Sequence, residues 1–130
     1  MVEIRFTEPF KKRLKKLAKR YRNIQEDIEP IFTQLQTGFF IGEQITDIKA
    51  TVFKVRAKNS DIPTGKSGGY RLIYQVISPT IILLLVIYAK SDQVTISSTE
   101  IKRLIQGAKL ATSGVDRTII SRSIVISLLS

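Results

Sequence analysis

The sequence contains no cysteine and no histidine. Without cysteine, disulfide bonds and thiolate metal sites are excluded. Without histidine, the chain also lacks the most frequent general base and the most frequent metal ligand of proteins. Any catalysis therefore has to use lysine, arginine, tyrosine or carboxylate side chains, and we expect neither a metal ion nor a cofactor.

Long apolar stretches are also missing. The longest runs over nine residues, from Ile81 to Ala89, whereas a transmembrane helix needs about 20. The N-terminus, Met1 to Arg5, lacks the apolar core of a signal peptide. We therefore expect a soluble, cytoplasmic protein with no membrane partner.

Acidic residues are scarce, with 11 Asp and Glu against 21 Lys and Arg, for a net charge of +10 at pH 7. Such a charge favours a polyanionic partner, either nucleic acid or an acidic protein, over a basic protein without that role. Residues 1–22 hold nine basic and two acidic side chains, and residues 54–90 hold six and one. The segment between these two basic blocks is acidic.

The N-terminal third predicts a strand followed by two helices. Apolar and charged residues alternate from Val2 to Phe6, which is typical of a strand. Thr7 is a candidate N-cap for a helix with a strongly basic outer face. A second apolar stripe runs from Ile24 to Leu35, and Pro30 inside it is expected to kink or interrupt that helix.

The remainder of the chain predicts three strands and a last helix. Strands are expected from about Thr51 to Lys58, from Tyr70 to Ile77 and from Thr80 to Ala89, the last apolar on both faces. A loop rich in turn formers joins the first two. The order indicates an α+β fold, an antiparallel meander covered by a helical hairpin. We expect one domain over residues 1–110 and a tail of uncertain structure over 111–130.

Basic side chains alternate along the first of these strands, where Lys54, Arg56 and Lys58 share one face with no carboxylate between them. Because like charges on one face repel each other, a counter-charge is expected from elsewhere, and a phosphate backbone would supply it. The alternative is a solvated edge strand that uses lysine against aggregation, which is the preferred interpretation of Lys58 taken alone.

Neighbouring strands would extend this basic face. If the three strands pair in order, the face also gathers Arg71, Tyr88 and Lys90, although sequence alone does not fix the register. Such a cluster suits RNA cleavage by the adjacent 2′-hydroxyl. Arginine clamps the phosphate, a lysine among cations becomes a usable base, and tyrosine orients the hydroxyl or donates a proton. The candidate catalytic residues are Lys54, Arg56, Arg71, Tyr88 and Lys90.

Other basic residues are candidates for RNA binding alone: Lys58, Lys66, Lys12 and Lys16. The string Gly65-Lys66-Ser67 resembles the end of a nucleotide-binding loop, but that motif needs a glycine where Ser60 stands and a following helix. A strand is predicted there instead. Lys66 is therefore expected to contact the RNA backbone or to remain solvated in its loop.

The string GYRLIYQV at residues 69–76 resembles the central strand of RelE-type toxins. Together with FKVR at 53–56, GKSGG at 65–69 and IYAK at 87–90, it is similar to the HigB-like branch of the RelE/ParE superfamily. The resemblance covers about residues 2–106. It implies a helical hairpin packed on a small, twisted, mainly antiparallel sheet with a C-terminal helix.

This resemblance also implies a function. It predicts the toxin of a type II toxin–antitoxin system, a ribosome-dependent endoribonuclease that cleaves messenger RNA. The partners would be the ribosome, messenger RNA and a cognate antitoxin, which holds the toxin in a hetero-oligomer. By position, Lys54, Arg56 and Arg71 match basic residues that carry cleavage in the family, and Lys90 matches a basic position after the last strand.

The chain departs from that pattern at two positions. Ser91 stands where family members place an arginine, and Ser97 stands near the position of a catalytic tyrosine, for which Tyr88 is the candidate substitute. Two alternatives therefore remain open. One is a ParE-like poison of DNA gyrase, and the other is a non-catalytic basic module that binds RNA or the ribosome.

Overall fold

The computed structural model describes residues 2–62, 68–110 and 115–118. The elements follow the chain in this order: β1 (Glu3–Thr7), α1 (Glu8–Arg20), α2 (Ile24–Gln36), β2 (Glu43–Gln44), β3 (Val52–Ala57), β4 (Tyr70–Ser78), β5 (Ile81–Ala89), α3 (Ser98–Leu110) and β6 (Val115–Thr118). The α+β class expected from the sequence is confirmed.

These strands form a single six-stranded sheet in the order β2-β3-β4-β5-β1-β6. The predicted meander of β3, β4 and β5 is present and antiparallel. Among the pairings of the described strands, only that of β1 with β5 is parallel. The sheet is therefore mainly antiparallel, as expected, but the sequence pattern did not indicate that the first strand lies beside the fifth.

The two faces of the sheet bury separate apolar clusters. The helical hairpin covers one face, where the predicted stripes of α1 and α2 pack against residues such as Ile4, Val55 and Leu72. α3 covers the other face, where Ile101 and Ile105 join the second cluster. β5 contributes alternate residues to both clusters and is buried over almost its whole length, which agrees with its continuous apolar sequence.

Thr7 joins α1 to the sheet. Its side-chain oxygen accepts a hydrogen bond from the Phe10 backbone N–H at 3.1 Å, which confirms the predicted N-cap. The same hydroxyl donates to the carbonyl of Leu85 at 2.9 Å, and Thr7 is only 3% exposed. One buried side chain therefore begins the basic helix and fixes its start against β5.

The sequence led us to expect a kink or an interruption at Pro30, and the structure shows no interruption of α2. The helix is continuous from Ile24 to Gln36, with Pro30 on its exposed side and Ile28 and Ile31 buried on either side of it. Burial of the apolar stripe outweighs the single backbone hydrogen bond that proline removes. Gly38, at φ +93°, follows the end of the helix in the left-handed region that favours glycine.

The C-terminal segment contributes one edge of the sheet. β6 pairs antiparallel with β1, with Val115 opposite Thr7 and Thr118 opposite Ile4. Residues 119–130, the apolar part of the predicted tail, lie outside the described residues, and the division at residue 110 stays a prediction. Within the described ranges, no helix is both long enough and apolar enough to cross a membrane.

Candidate functional site

The centre of the candidate site is a row of three side chains across the meander. Arg56 of β3 lies directly opposite Arg71 of β4, and Arg71 lies directly opposite Tyr88 of β5. Side chains at directly opposed positions of antiparallel strands share a face, with their Cβ atoms about 5 Å apart. The register therefore brings together three of the five residues that the sequence proposed for catalysis. They lie on the face covered by α3, because Tyr88 belongs to its apolar cluster.

Lys54 extends the row along β3 but has a neighbour that the sequence did not predict. β2 places Glu43 directly opposite Lys54. The sequence led us to expect a counter-charge from outside this strand, and β2 places a carboxylate there, although a two-residue strand gave no periodic signal to predict it. In the described part of the chain, neither Lys54 nor Arg56 has a carboxylate oxygen within the 4.0 Å of an ion pair.

Exposure falls steeply along the row. Arg56 is exposed and Lys54 is half-buried, whereas Arg71 is 3% exposed and Tyr88 only 2%. The Arg71 Nη1 atom donates to the carbonyl of Tyr70 at 3.1 Å. Burial lowers the pKa of Arg71, and neighbouring Arg56 lowers it further. A guanidinium nevertheless keeps its charge at neutral pH, so the row carries a cation into the protein interior.

Tyr88 ends the row as a neutral phenol. Burial raises its pKa, while the Arg71 charge and the Thr95 side chain act in the opposite direction. Among the described residues, the Tyr88 hydroxyl has no partner at hydrogen-bonding geometry. Because the proton stays on the oxygen at neutral pH, this side chain is suited to donate a hydrogen bond or a proton.

The other predicted site residues lie at the edges of this row. Lys90 is half-buried just beyond β5, where its backbone N–H donates to the carbonyl of Gly69 at 2.9 Å. Lys58 is exposed immediately after β3. Lys66 lies outside the described residues. Gly69 passes so close to β3 that a Cβ there would be 2.0 Å from the Ala57 carbonyl oxygen, which accounts for a glycine at this position.

A second cationic feature lies between α1 and the loop of residues 90–97, called here the β5–α3 loop. It is a pocket of about 580 Å³ lined by Arg13, Lys16, Leu17, Lys19, Arg20, Ile87, Tyr88, Ala89, Asp92 and Gln93. The structure thus separates the two α1 lysines proposed for RNA binding. Lys16 lines the pocket, whereas Lys12 is exposed elsewhere on the helix.

The family model for the ParE toxin of type II toxin-antitoxin systems, parDE, matches residues 4–93. The chain belongs to this family. The matched range includes the helical hairpin and the whole meander, and the α+β architecture agrees with the resemblance to RelE/ParE toxins. Membership implies a cognate antitoxin. A search of curated proteins found no match.

The toxin also has a polar network, centred on the buried Asp27, that sequence reasoning missed. Asp27 of α2 accepts hydrogen bonds from the Ser60 backbone N–H at 2.8 Å and from its hydroxyl at 3.0 Å. Asp61 accepts one from the backbone N–H of Asn23 at 2.9 Å. The start of the β3–β4 loop is therefore fixed to the start of α2. An acidic residue within the buried face of a helix was the one available signal.

Across the residues that the structure describes, no group of three or more acidic side chains is placed to hold a metal ion.

Proposed function

We propose that this toxin is a ribosome-dependent endoribonuclease that cleaves messenger RNA and so inhibits translation. The observation that carries the proposal is the in-register row of Arg56, Arg71 and Tyr88. Two guanidinium groups and a neutral phenol on one face match the needs of phosphate-ester cleavage. They supply fixed positive charge for the phosphorane and a proton for the departing oxygen.

Each residue then has a distinct role in the proposed reaction. The 2′-oxygen attacks the adjacent phosphorus and the bond to the 5′-oxygen breaks, leaving a 2′,3′-cyclic phosphate. Exposed Arg56 binds the phosphate first, and buried Arg71 stabilises the charge that develops on its oxygens. Tyr88 protonates the departing 5′-oxygen. Lys54 and the opposed Glu43 are the remaining groups near the row that could accept the 2′-hydroxyl proton.

The wider charge distribution supports the ribosome as the place of action. The chain carries +10, and the exposed lysines of α1 include those at positions 12, 16 and 19. A field of this sign accelerates association with a ribonucleoprotein and makes it salt-dependent. Lys58 and Lys66 are proposed to hold the RNA backbone around the row, as the sequence predicted, and Lys90, a predicted catalytic residue, is proposed to join them.

A DNA gyrase poison is the second candidate. Two observations favour it: the matching family model is that of the parDE toxin, and Arg71 and Tyr88 are almost inaccessible. A toxin that acts by binding gyrase needs no phosphate-cleaving group open to solvent. The row is then a structural feature, and the exposed cations would bind the target.

The two candidates differ in what stops first after induction. We expect incorporation of labelled amino acids to fall before any change in plasmid supercoiling. Loss of supercoiling with translation intact would replace the nuclease by the gyrase poison. If neither process is inhibited by the wild-type toxin without its antitoxin, the non-catalytic binding module becomes the better account.

Within the nuclease proposal, two substitutions identify the base. Lys54→Met should abolish cleavage if lysine accepts the proton, whereas Glu43→Gln should do so if the carboxylate does. Both positions lie at the surface end of the row, so the fold should tolerate either change. Cleavage that persists in both variants would remove this pair from the chemistry.

A further inference from the structure

The pocket between α1 and the β5–α3 loop differs from the rest of the cationic surface because part of its charge is already paired. Arg20 makes two hydrogen bonds to the Asp92 carboxylate, at 2.7 and 2.9 Å. Arg13 donates to the Gln93 side chain at 3.0 Å. In the described chain, the other two cations of the pocket, Lys16 and Lys19, have no such partner. We call these two contacts to the loop, Arg20 with Asp92 and Arg13 with Gln93, the latch.

The latched loop lies beside the buried end of the catalytic row. Thr95 is close enough to Tyr88 to affect the pKa of its hydroxyl. Ile96 is 8% exposed and belongs to the same apolar cluster as Tyr88. Residue 88 also lines the latched pocket, on the stretch of β5 whose Ile87 and Ala89 side chains face α1 while that of Tyr88 faces α3, so this strand borders both features. Because Tyr88 is only 2% exposed, RNA can touch it only if its cover moves, and this loop is part of that cover.

The latch is weak enough to be displaced by another anion. Both partners of the ion pair are largely exposed, at 52% for the Arg20 side chain and 41% for Asp92. An ion pair so accessible to solvent is readily exchanged for a competing anion, especially one that binds several cations at once. The Ala89 carbonyl also accepts hydrogen bonds from the Asp92 and Gln93 backbone N–H groups, at 2.9 and 3.3 Å, and beyond this turn Val94 is 76% exposed.

We infer that this pocket binds a phosphodiester of single-stranded nucleic acid, and that binding opens the β5–α3 loop by drawing Arg20 and Arg13 away from Asp92 and Gln93. The inference rests on the proposed function in taking RNA as the target. It goes further in assigning a binding site away from the row and a means by which that site gives access to Tyr88.

The chemistry of the pocket favours a nucleotide over an acidic protein segment. Its four cations span two turns of α1, about 10 Å along the helix axis. Its floor is apolar but covered while the latch is closed, since Leu17, Ile87 and Ala89 are each at most 6% exposed. Sites for single-stranded nucleic acid combine cations for the backbone with apolar or aromatic surface for the bases. An acidic protein segment would pair with the cations but would make no contact with the apolar floor.

Binding is tested with a fluorescent 2′-O-methyl oligoribonucleotide of about 10 nucleotides, which lacks the hydroxyl needed for cleavage. Lys16→Ala should weaken binding and reduce the slope of log affinity against log salt by about 0.7. Lys15→Ala is the matched control, because Lys15 is exposed on the same helix but lies outside the pocket. Asp92→Asn should tighten binding by up to about fivefold, since it removes the competing carboxylate.

Loop opening is tested with a single thiol, for which the cysteine-free sequence gives a clean background. In the full-length Ile96→Cys variant, the rate of reaction with a soluble disulfide reagent should rise when the oligonucleotide is added. Asp92→Asn should raise that rate without oligonucleotide. Val94→Cys is the control on the same loop, because that position is already exposed and its reactivity should not change.

Equal effects of Lys16→Ala and Lys15→Ala, or a thiol rate unaffected by the oligonucleotide, would overturn the inference. A polyglutamate peptide that opens the loop when the oligonucleotide does not would assign the pocket to an acidic protein instead. The binding comparison stands even if Ile96→Cys fails to fold. Because the probe cannot be cleaved, these results do not depend on nuclease activity. A failure of the nuclease proposal would appear in the cleavage experiments and leave these binding results unaffected.

Discussion

Thr7 is the residue through which the fold most directly positions the cationic helix. Replacing it by valine keeps the branched shape but removes both hydrogen bonds of its hydroxyl, one to the Phe10 N–H and one to the Leu85 carbonyl. Replacing it by serine keeps the hydroxyl and removes one buried methyl group. The pair of variants therefore separates hydrogen bonding from packing at a site that is 3% exposed.

The magnitudes follow from the two bonds. Loss of the N-cap costs about 1 kcal/mol, and leaving the buried Leu85 carbonyl without this donor costs about 1–2 kcal/mol. We expect Thr7→Val to lower the free energy of unfolding by about 2–3 kcal/mol. For 130 residues this corresponds to a fall in Tm of about 7–11 °C. Thr7→Ser should cost less than about 1 kcal/mol.

Urea denaturation followed by circular dichroism measures both variants, with Tm from a thermal scan as a second reading. A Thr7→Val protein as stable as wild type would refute the argument that this hydroxyl fixes α1 to β5. Equal losses in the valine and serine variants would mean that packing of the methyl group, and not hydrogen bonding, determines the stability of this junction.

Three further changes test the site and its surroundings. Gly69→Ala places a Cβ 2.0 Å from the Ala57 carbonyl oxygen, so it should destabilise the fold by roughly 2 kcal/mol or more; an unchanged urea midpoint would contradict the close approach. Tyr70→Phe removes a buried hydroxyl without a hydrogen-bond partner among the described residues, so stability near neutral pH should stay the same or rise by about 1 kcal/mol. Burial raises the pKa of Tyr70, so the folded state keeps a proton that the unfolded chain releases near pH 10. The stability that this proton contributes is complete below about pH 10 and is lost as the pH rises towards the pKa of the folded state. The phenylalanine variant lacks this contribution, so its stability should fall less steeply than that of wild type in alkaline titrations. Arg71→Met retains most of the buried side-chain volume while removing the charge, so it should keep a folded circular dichroism spectrum and lose toxicity; wild-type toxicity would exclude Arg71 from the proposed mechanism.

Periodicity predicted the parts of this fold that depend on one face of an element. The alternation of Phe53, Val55 and Ala57 was confirmed as the face towards the helical hairpin. The stripes of α1 and α2 were confirmed in the same way, because burial on one side leaves a direct trace in the sequence. The same alternation put Arg56 on the opposite face, where the register places it beside Arg71.

Features that depend on what covers a face were not predictable in this way. Period two assigns Arg71 and Tyr88 to a face, but it carries no information about the loop and helix that bury them. The latch joins residues 72 positions apart, and neither Arg20 nor Asp92 stands out in a basic helix or a polar loop. Glu43 was missed because two residues form no pattern, and the parallel pairing of β1 with β5 because propensity does not specify strand order.

The central claim is that the row of Arg56, Arg71 and Tyr88 cleaves messenger RNA on the ribosome. It is tested most directly by primer extension on an abundant messenger RNA after induced expression of wild type, Arg56→Ala and Lys49→Ala. Both residues are exposed cations. Arg56 lies within β3 and belongs to the row, whereas Lys49 precedes β3 and does not. We expect cuts within translated codons for wild type and for Lys49→Ala, and their loss in Arg56→Ala. Growth arrest with intact messenger RNA, or cuts that persist in Arg56→Ala, would contradict it.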